Sequence, residues 1–185
     1  EDMMSAAAIH DRPAVGRIAH EGIDLDADGN VYVVDEFRCR TSSCGDVAPC
    51  GGGVYKFVPN SYGDLSAGEL YVLGIESDTP RDGTGQGFGE AYLAENARVS
   101  GSEVGGASYQ RPEDLEVIGD TLYVAVTEGP RDEFGKEYYE GRVLSINLDT
   151  MKVANFVKAG VNAPVEINKP GQEGFQSGFD SVDNL

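Results

Sequence analysis

Gly22-Ile23-Asp24-Leu25-Asp26-Ala27-Asp28-Gly29-Asn30-Val31-Tyr32-Val33-Val34 is the stretch that decides the fold. Its first five residues alternate apolar with polar, the period of a half-buried strand. Ala27 to Asn30 supplies turn chemistry, because Asp-Gly between two β runs is a strong hairpin signal. Val31 to Val34 returns as a β-branched and aromatic strand. The same residues imitate an EF-hand loop, with Asp24, Asp26, Asp28 and Gly29 leading to Asp35 at the twelfth place. An EF-hand needs flanking helices and a bidentate Glu at that place. Here the flanks are strands, so a hairpin turn is expected.

Outward from this hairpin the pattern repeats. Val54-Tyr55-Lys56-Phe57-Val58 and Leu70-Tyr71-Val72-Leu73 form a second pair, joined through Pro59 and Gly63. Further on, Leu115–Ile118 turns at Gly119-Asp120 into Leu122–Val126, and Arg142–Ile146 turns at Asp149-Thr150 into Val153–Val157. Eight strands fall into two groups of four, each built from two consecutive hairpins. A four-stranded unit repeated along the chain is the signature of a β-propeller, whose ring takes typically 4–8 blades. The expected fold is therefore all-β, with about two propeller blades.

The expected organisation is a linker or strand tail over 1–13, a first blade over 14–74 and a Gly-rich connection over 75–110. A second blade over 111–158 and the start of a third over 159–185 complete it. The connection shows no clear strand pattern, and residues 91–99 suit a short helix. Two blades alone would leave open edges, so the chain is expected to be an internal piece completed by the rest of its own propeller.

Composition narrows the functions. The chain has 185 residues, 40% of them hydrophobic, and a formal charge of −18. That field repels nucleic acid and anionic membrane and attracts cations. Nucleic acid is not an expected partner, and no apolar run approaches the length of a membrane span. The opening Glu1-Asp2-Met3-Met4 lacks the form of a secretion signal, so any such signal is expected to be already removed. Cys39, Cys44 and Cys50 lie within twelve residues and lack CxxC spacing. They allow one disulfide with one thiol left over, in three pairings, which suits a loop of an exported protein. No Gly-x-Ser-x-Gly elbow, Walker loop or His-Glu-x-x-His pair occurs, and the only histidines are His10 and His20.

An acid precedes the first strand of each unit: Glu21, Glu113 and, in Val182-Asp183-Asn184-Leu185, Asp183. Innermost strands of a propeller line its channel, so equivalent residues of successive blades would converge. Carboxylates brought together raise each other's pKa, and calcium, with its 6–8 oxygen ligands, would relieve the repulsion. The plainer alternative is that each acid caps a strand end or accepts from backbone amides. Asp35-Glu36 and Thr127-Glu128 end the second strands at matching places and add to the cluster. Arg17, His20, Arg38 and Arg111 lie near the same motifs. Each would contact an anionic ligand or pair with a neighbouring acid.

Gly16–Gly22, Val31–Glu36 and Gly53–Val58, with Arg111-Pro112-Glu113-Asp114, Leu122–Thr127 and Phe179–Leu185, together resemble the PhoX-type alkaline phosphatase family. The match spans most of residues 14–73 and 107–157. The resemblance implies a six-bladed propeller, exported to the periplasm or the outside, whose central site holds calcium and iron and hydrolyses phosphate monoesters. It makes Glu21 and Glu113 metal ligands and sets Asp35, Glu36, Arg38 and Arg111 in or near the site; a phosphorylated small molecule would be the substrate. Arg38 and Arg111 would neutralise phosphoryl charge, and Asp183, Asp35 and Glu36 would join the metal ligands. The family's cysteine motif upstream of His20-Glu21 is missing, and Thr127-Glu128-Gly129 stands where those phosphatases show Thr-Asn-Asn. The competing expectations are a non-catalytic, calcium-stabilised secreted propeller and a lactonase- or phytase-like hydrolase on a similar fold.

Overall fold

The structure is a computed structural model that describes residues 10–37, 51–75, 85–90, 104, 106–107, 109–128, 141–158, 182 and 184–185. Arg38, Asp183, the three cysteines and the expected helix at 91–99 lie outside the described residues. A short 3₁₀ turn, Pro13–Val15, precedes strands β1 (His20–Leu25), β2 (Val31–Asp35), β3 (Val54–Pro59), β4 (Gly68–Ile75) and β5 (Gly85–Glu90). Strands β6 (Gln110–Ile118), β7 (Thr121–Glu128), β8 (Arg142–Asn147) and β9 (Val153–Lys158) follow. The fold is all-β. Two antiparallel meanders run in sheet orders β1-β2-β3-β4-β5 and β6-β7-β8-β9.

The eight expected strands are all present. The expectation for residues 75–110 needs correction, because β5 lies inside it and adds a fifth strand to the first sheet. Its sequence, Gly-Gln-Gly-Phe-Gly-Glu, holds three glycines, residues that strands normally avoid. The ladder to β4 supplies what propensity lacks, pairing Val72 with Gly89 and Gly74 with Gly87.

The first hairpin turns as its sequence requires. Gly29 adopts φ 81°, a conformation that glycine takes without steric cost. The Asp26 carboxylate gathers the turn: it accepts from the Asp28 and Asn30 amides, from Asn30 Nδ2 at 2.8 Å and from the Tyr32 hydroxyl at 3.0 Å. These contacts fill the oxygens that an EF-hand would need for calcium. Partial burial pushes the Asp26 pKa up, but the Asn30 and Tyr32 hydrogen bonds, helped by Lys56, outweigh it and hold it below the usual value. Burial, then the charge and hydrogen bond of Asp26, push the Tyr32 phenol the other way. Lys56 Nζ stands 5.4 Å from the Tyr32 ring centroid, opposite it in the ladder.

Strand parity sets the core. Tyr32, Val34, Val54 and Leu73 face Leu115, Leu122, Val124, Val126, Leu144 and Ile146, so the main core lies between the sheets. On the other face of the first sheet, Val31, Val33, Tyr55, Phe57, Leu70 and Val72 are covered in part by Ala14 and Val15 of the 3₁₀ turn. Strand β2 is therefore buried on both faces, which explains its unbroken Val-Tyr-Val-Val run. No helix among the described residues is long and apolar enough to cross a membrane.

Candidate functional site

The two sheets meet through their first strands. A Cβ on Gly22 would stand 2.6 Å from the Leu115 nitrogen, so only glycine permits this approach of β1 to β6. Two residues on, Asp24 Oδ2 accepts from the Val117 amide at 2.7 Å. Because 22 meets 114–115 and 24 meets 117, β1 and β6 run side by side in the same direction. One unit later a non-equivalent aspartate makes a similar bond: Asp114, which the register matches to Gly22, accepts through Oδ2 from the Leu185 amide at 3.0 Å.

Both first strands are bulged at the same place. The ladder shifts between His20 and Ile23 in β1, and between Pro112 and Leu115 in β6. Glu21 and Glu113 both lie inside the irregularity, where a bulge re-aims side chains. Pro112 contributes to it, since proline cannot donate to a ladder. The register also sharpens the repeat. His20 pairs with Asp35 as Pro112 pairs with Val126, so Glu36 corresponds to Thr127, one residue off the matching suggested by sequence.

Backbone contacts bring Glu36 to β6. The Glu36 amide donates to the Ala19 carbonyl at 2.9 Å, and the Arg111 amide donates to the Phe37 carbonyl at 3.4 Å. Nearby, Gly52 and Tyr109 exchange two amide–carbonyl bonds of 2.8 Å, and a Cβ on the adjoining Gly51 would stand 2.2 Å from the Tyr109 carbonyl oxygen.

Arg111, Glu36, Glu113 and Thr127 form the centre of the site. Arg111 Nε and Nη2 reach Glu36 Oε1 at 2.9 and 2.8 Å, and Nη2 also reaches Glu113 Oε1 at 2.5 Å. The Glu113 side chain is 2% exposed, against 31% for Arg111 and 30% for Glu36. The guanidinium is thus the more exposed partner and the Glu113 carboxylate the buried one. Burying Glu113 as an anion costs desolvation, which the charge-assisted contact to Arg111 offsets. Arg111 adopts φ 52°, although the following proline disfavours helical conformations and a side chain disfavours the left-handed one.

Thr127 Oγ1 lies 3.0 Å from Glu113 Oε1 and 2.7 Å from the Val182 carbonyl. A hydroxyl carries one proton, so two acceptor oxygens compete for it. Among the described residues, one guanidinium meets two carboxylates, a hydroxyl and a carbonyl here, a set rich in hard oxygen donors.

The other expected site residues fall as follows. Glu21 is exposed. Asp35 is buried, and its Oδ1 accepts from the Ala19 amide at 2.9 Å. His20 Nε2 donates to the Gly16 carbonyl at 3.2 Å, and Arg17 is exposed. The structure thus joins Arg111, Glu36 and Glu113, and does not bring Glu21 into that cluster. Arg38 and Asp183 are outside the described residues, although Val182 and Leu185, on either side of Asp183 in the chain, both bond to this end of the second sheet. Among the described residues, no three His, Cys, Asp or Glu side chains gather in a metal-binding arrangement.

Asp24, which bonds β1 to β6, and Asp114, which bonds to the Leu185 amide, were not legible as such from the sequence. The ladder registers match Asp24 to Glu116 and Asp114 to Gly22, so no repeat in the sequence marks the two aspartates. No family model, no curated protein and no solved structure matches this chain.

Proposed function

We propose that this chain supplies two successive blades of a β-propeller whose hub, around Glu113, holds a divalent cation with calcium's preferences and serves an exported, PhoX-like phosphomonoester hydrolase. The observation that carries this reading is the buried Glu113 carboxylate, bonded to Arg111 and Thr127 beside the carbonyl of Val182. The side-by-side, same-direction course of β1 and β6 supports the blade arrangement. So do the apolar side chains left on the two outer faces, Ile23 and Leu25 at 59% and 54% exposure and Ile118 and Phe156 at 59% and 55%. Neighbouring blades would cover them.

The donors fit calcium, because Glu113, Glu36, Thr127 and the Val182 carbonyl offer only oxygen, the ligand of hard cations. Glu21 and Asp183 would complete the set. Such a cation, when bound, polarises a phosphoryl oxygen and lowers the pKa of a bound water. Arg111 and Arg38 would orient the phosphate and neutralise its charge, and the low exposure of Glu113 keeps bulk water from its carboxylate. Iron belongs to this reading through the resemblance alone, and no role is derived for it.

A second reading, a secreted calcium-stabilised propeller without catalysis, is favoured by one observation: Arg111 is already engaged by two carboxylates. Hydrolysis of p-nitrophenyl phosphate by the intact protein, with calcium and then with chelator, separates the two. Chelator-sensitive turnover supports the hydrolase. Absence of turnover with a calcium-dependent rise in Tm supports the binding propeller, and absence of both removes the cation from the account.

A further inference from the structure

We propose that the far face of the second sheet is a docking surface for a further antiparallel unit of the same protein, entered at Val182 and Leu185, whose first strand runs beside β6 as β6 runs beside β1. The inference rests on the blade reading above, names the face and the register, and is independent of the cation.

The ladder registers identify the face. Tyr32 pairs with Asp24 and Val34 with Val54 in the first sheet, as Tyr123 pairs with Glu116 and Ala125 with Val143 in the second. Tyr123, Ala125 and Val143 thus hold the places of Tyr32, Val34 and Val54, which lie in the core between the sheets. The second sheet therefore offers on its far side the kind of surface that it covers on the first. Ala125 and Val143 are buried at the Thr127 end of that face. Ile118 at the opposite end is 59% exposed, as is 55% of Phe156, whose ring meets that of Tyr123 edge-on at 4.9 Å.

Two contacts show what arrives there. Thr127 lies level with Arg111, between the pairs Gln110–Glu128 and Pro112–Val126, and bonds the Val182 carbonyl. Asp114 bonds the Leu185 amide. From Val182 to Leu185 the chain therefore advances in the direction of β6, toward Ile118. Asp24 bonds one residue past its own register equivalent, Glu116. The same step from Asp114 sets Leu185 in the place of Leu115, a core residue at the first seam, yet Leu185 is 44% exposed. A strand continuing on this line passes Glu116 and Ile118, and its unit buries Tyr123 and Phe156 as the second sheet buries Tyr32. The apolar area removed from water drives the docking.

Hydroxyl-radical footprinting of the intact protein, read by mass spectrometry, tests this, with Tyr62, 80% exposed, as the open reference. After correction for intrinsic reactivity, Phe156 and Ile118 are expected to label several-fold less than Tyr62 at every protein concentration. The double variant Thr127→Val, Asp114→Ala is expected to raise labelling at Phe156 and Ile118 while the buried Phe57 stays unlabelled. Should that variant fail to fold, Phe57 labels too and the wild-type comparison decides alone. Phe156 labelled like Tyr62 in wild type overturns the proposal. So does protection that fades on dilution, which assigns the face to a second copy, and so does protection that a folded double variant keeps in full. Exposed Phe156 with a calcium-dependent Tm leaves the cation reading standing, whereas protected Phe156 with no calcium effect removes the cation and keeps the docking surface.

Discussion

Gly22 and Asp114 are in backbone contact across the two sheets: a Cβ on Gly22 would stand 2.7 Å from the Asp114 Cα. This contact fixes how close the first strands come, and with it the spacing between the two bulges that carry Glu21 and Glu113. Gly22→Ala forces backbone against backbone, with no flexible side chain to give way. A loss of about 2–3 kcal/mol is expected, at the upper end of overpacking penalties, read as a lower urea midpoint at unchanged slope. Stability equal to wild type would mean that the strands are not held at this distance.

The strands were legible because period-two alternation, β-branched runs and Asp-Gly or Gly-Asp turns coincide at both hairpin pairs. Strand β5 was not, because its glycines mask a pairing that depends on β4. The site was half legible. Glu113 and Arg111 stand out in Arg-Pro-Glu-Asp, but Glu36 lies 75 residues from Arg111, and only the fold brings them together. Asp35 is placed by the fold in the same way: its Oδ1 accepts from the Ala19 amide, a partner that its sequence position does not name. Spacing along the chain does not say which carboxylates face backbone and which face an opening.

Asp26 makes stability depend on pH. Its folded pKa lies below the ordinary value of 3.8, so the unfolded chain takes up the proton first as pH falls. Its contribution is therefore complete above about pH 4–5 and is lost as pH drops through the folded value. Comparing denaturation midpoints at pH 7 and pH 3, Asp26→Asn should lose less stability on acidification than wild type. An identical acid response in both would show that Asp26 is not protected by its turn.

Thr127→Val removes the hydroxyl between Glu113 and the Val182 carbonyl while keeping side-chain shape. A destabilisation of about 1–2 kcal/mol is expected from the lost bonds of a buried polar group. Amide exchange of Leu185, whose N–H donates to Asp114, should accelerate as the segment after residue 182 loosens. Unchanged exchange at Leu185 would mean that Thr127 does not anchor that segment.

Asp24→Ala leaves the Val117 amide without its carboxylate acceptor at the seam between the sheets. Its expected effect is about 1–3 kcal/mol of stability, with faster exchange at Val117 than at Val124 in the core. Equal protection of the two amides would contradict a seam held by this bond.

The central proposal is that the oxygens around the buried Glu113 hold a divalent cation. A crystal structure of the intact protein grown with calcium tests it most directly. The account predicts an ion within about 2.3–2.6 Å of a Glu113 oxygen, on the side of Thr127 and the Val182 carbonyl. A Glu113 carboxylate with no ion beside it at saturating calcium would contradict it.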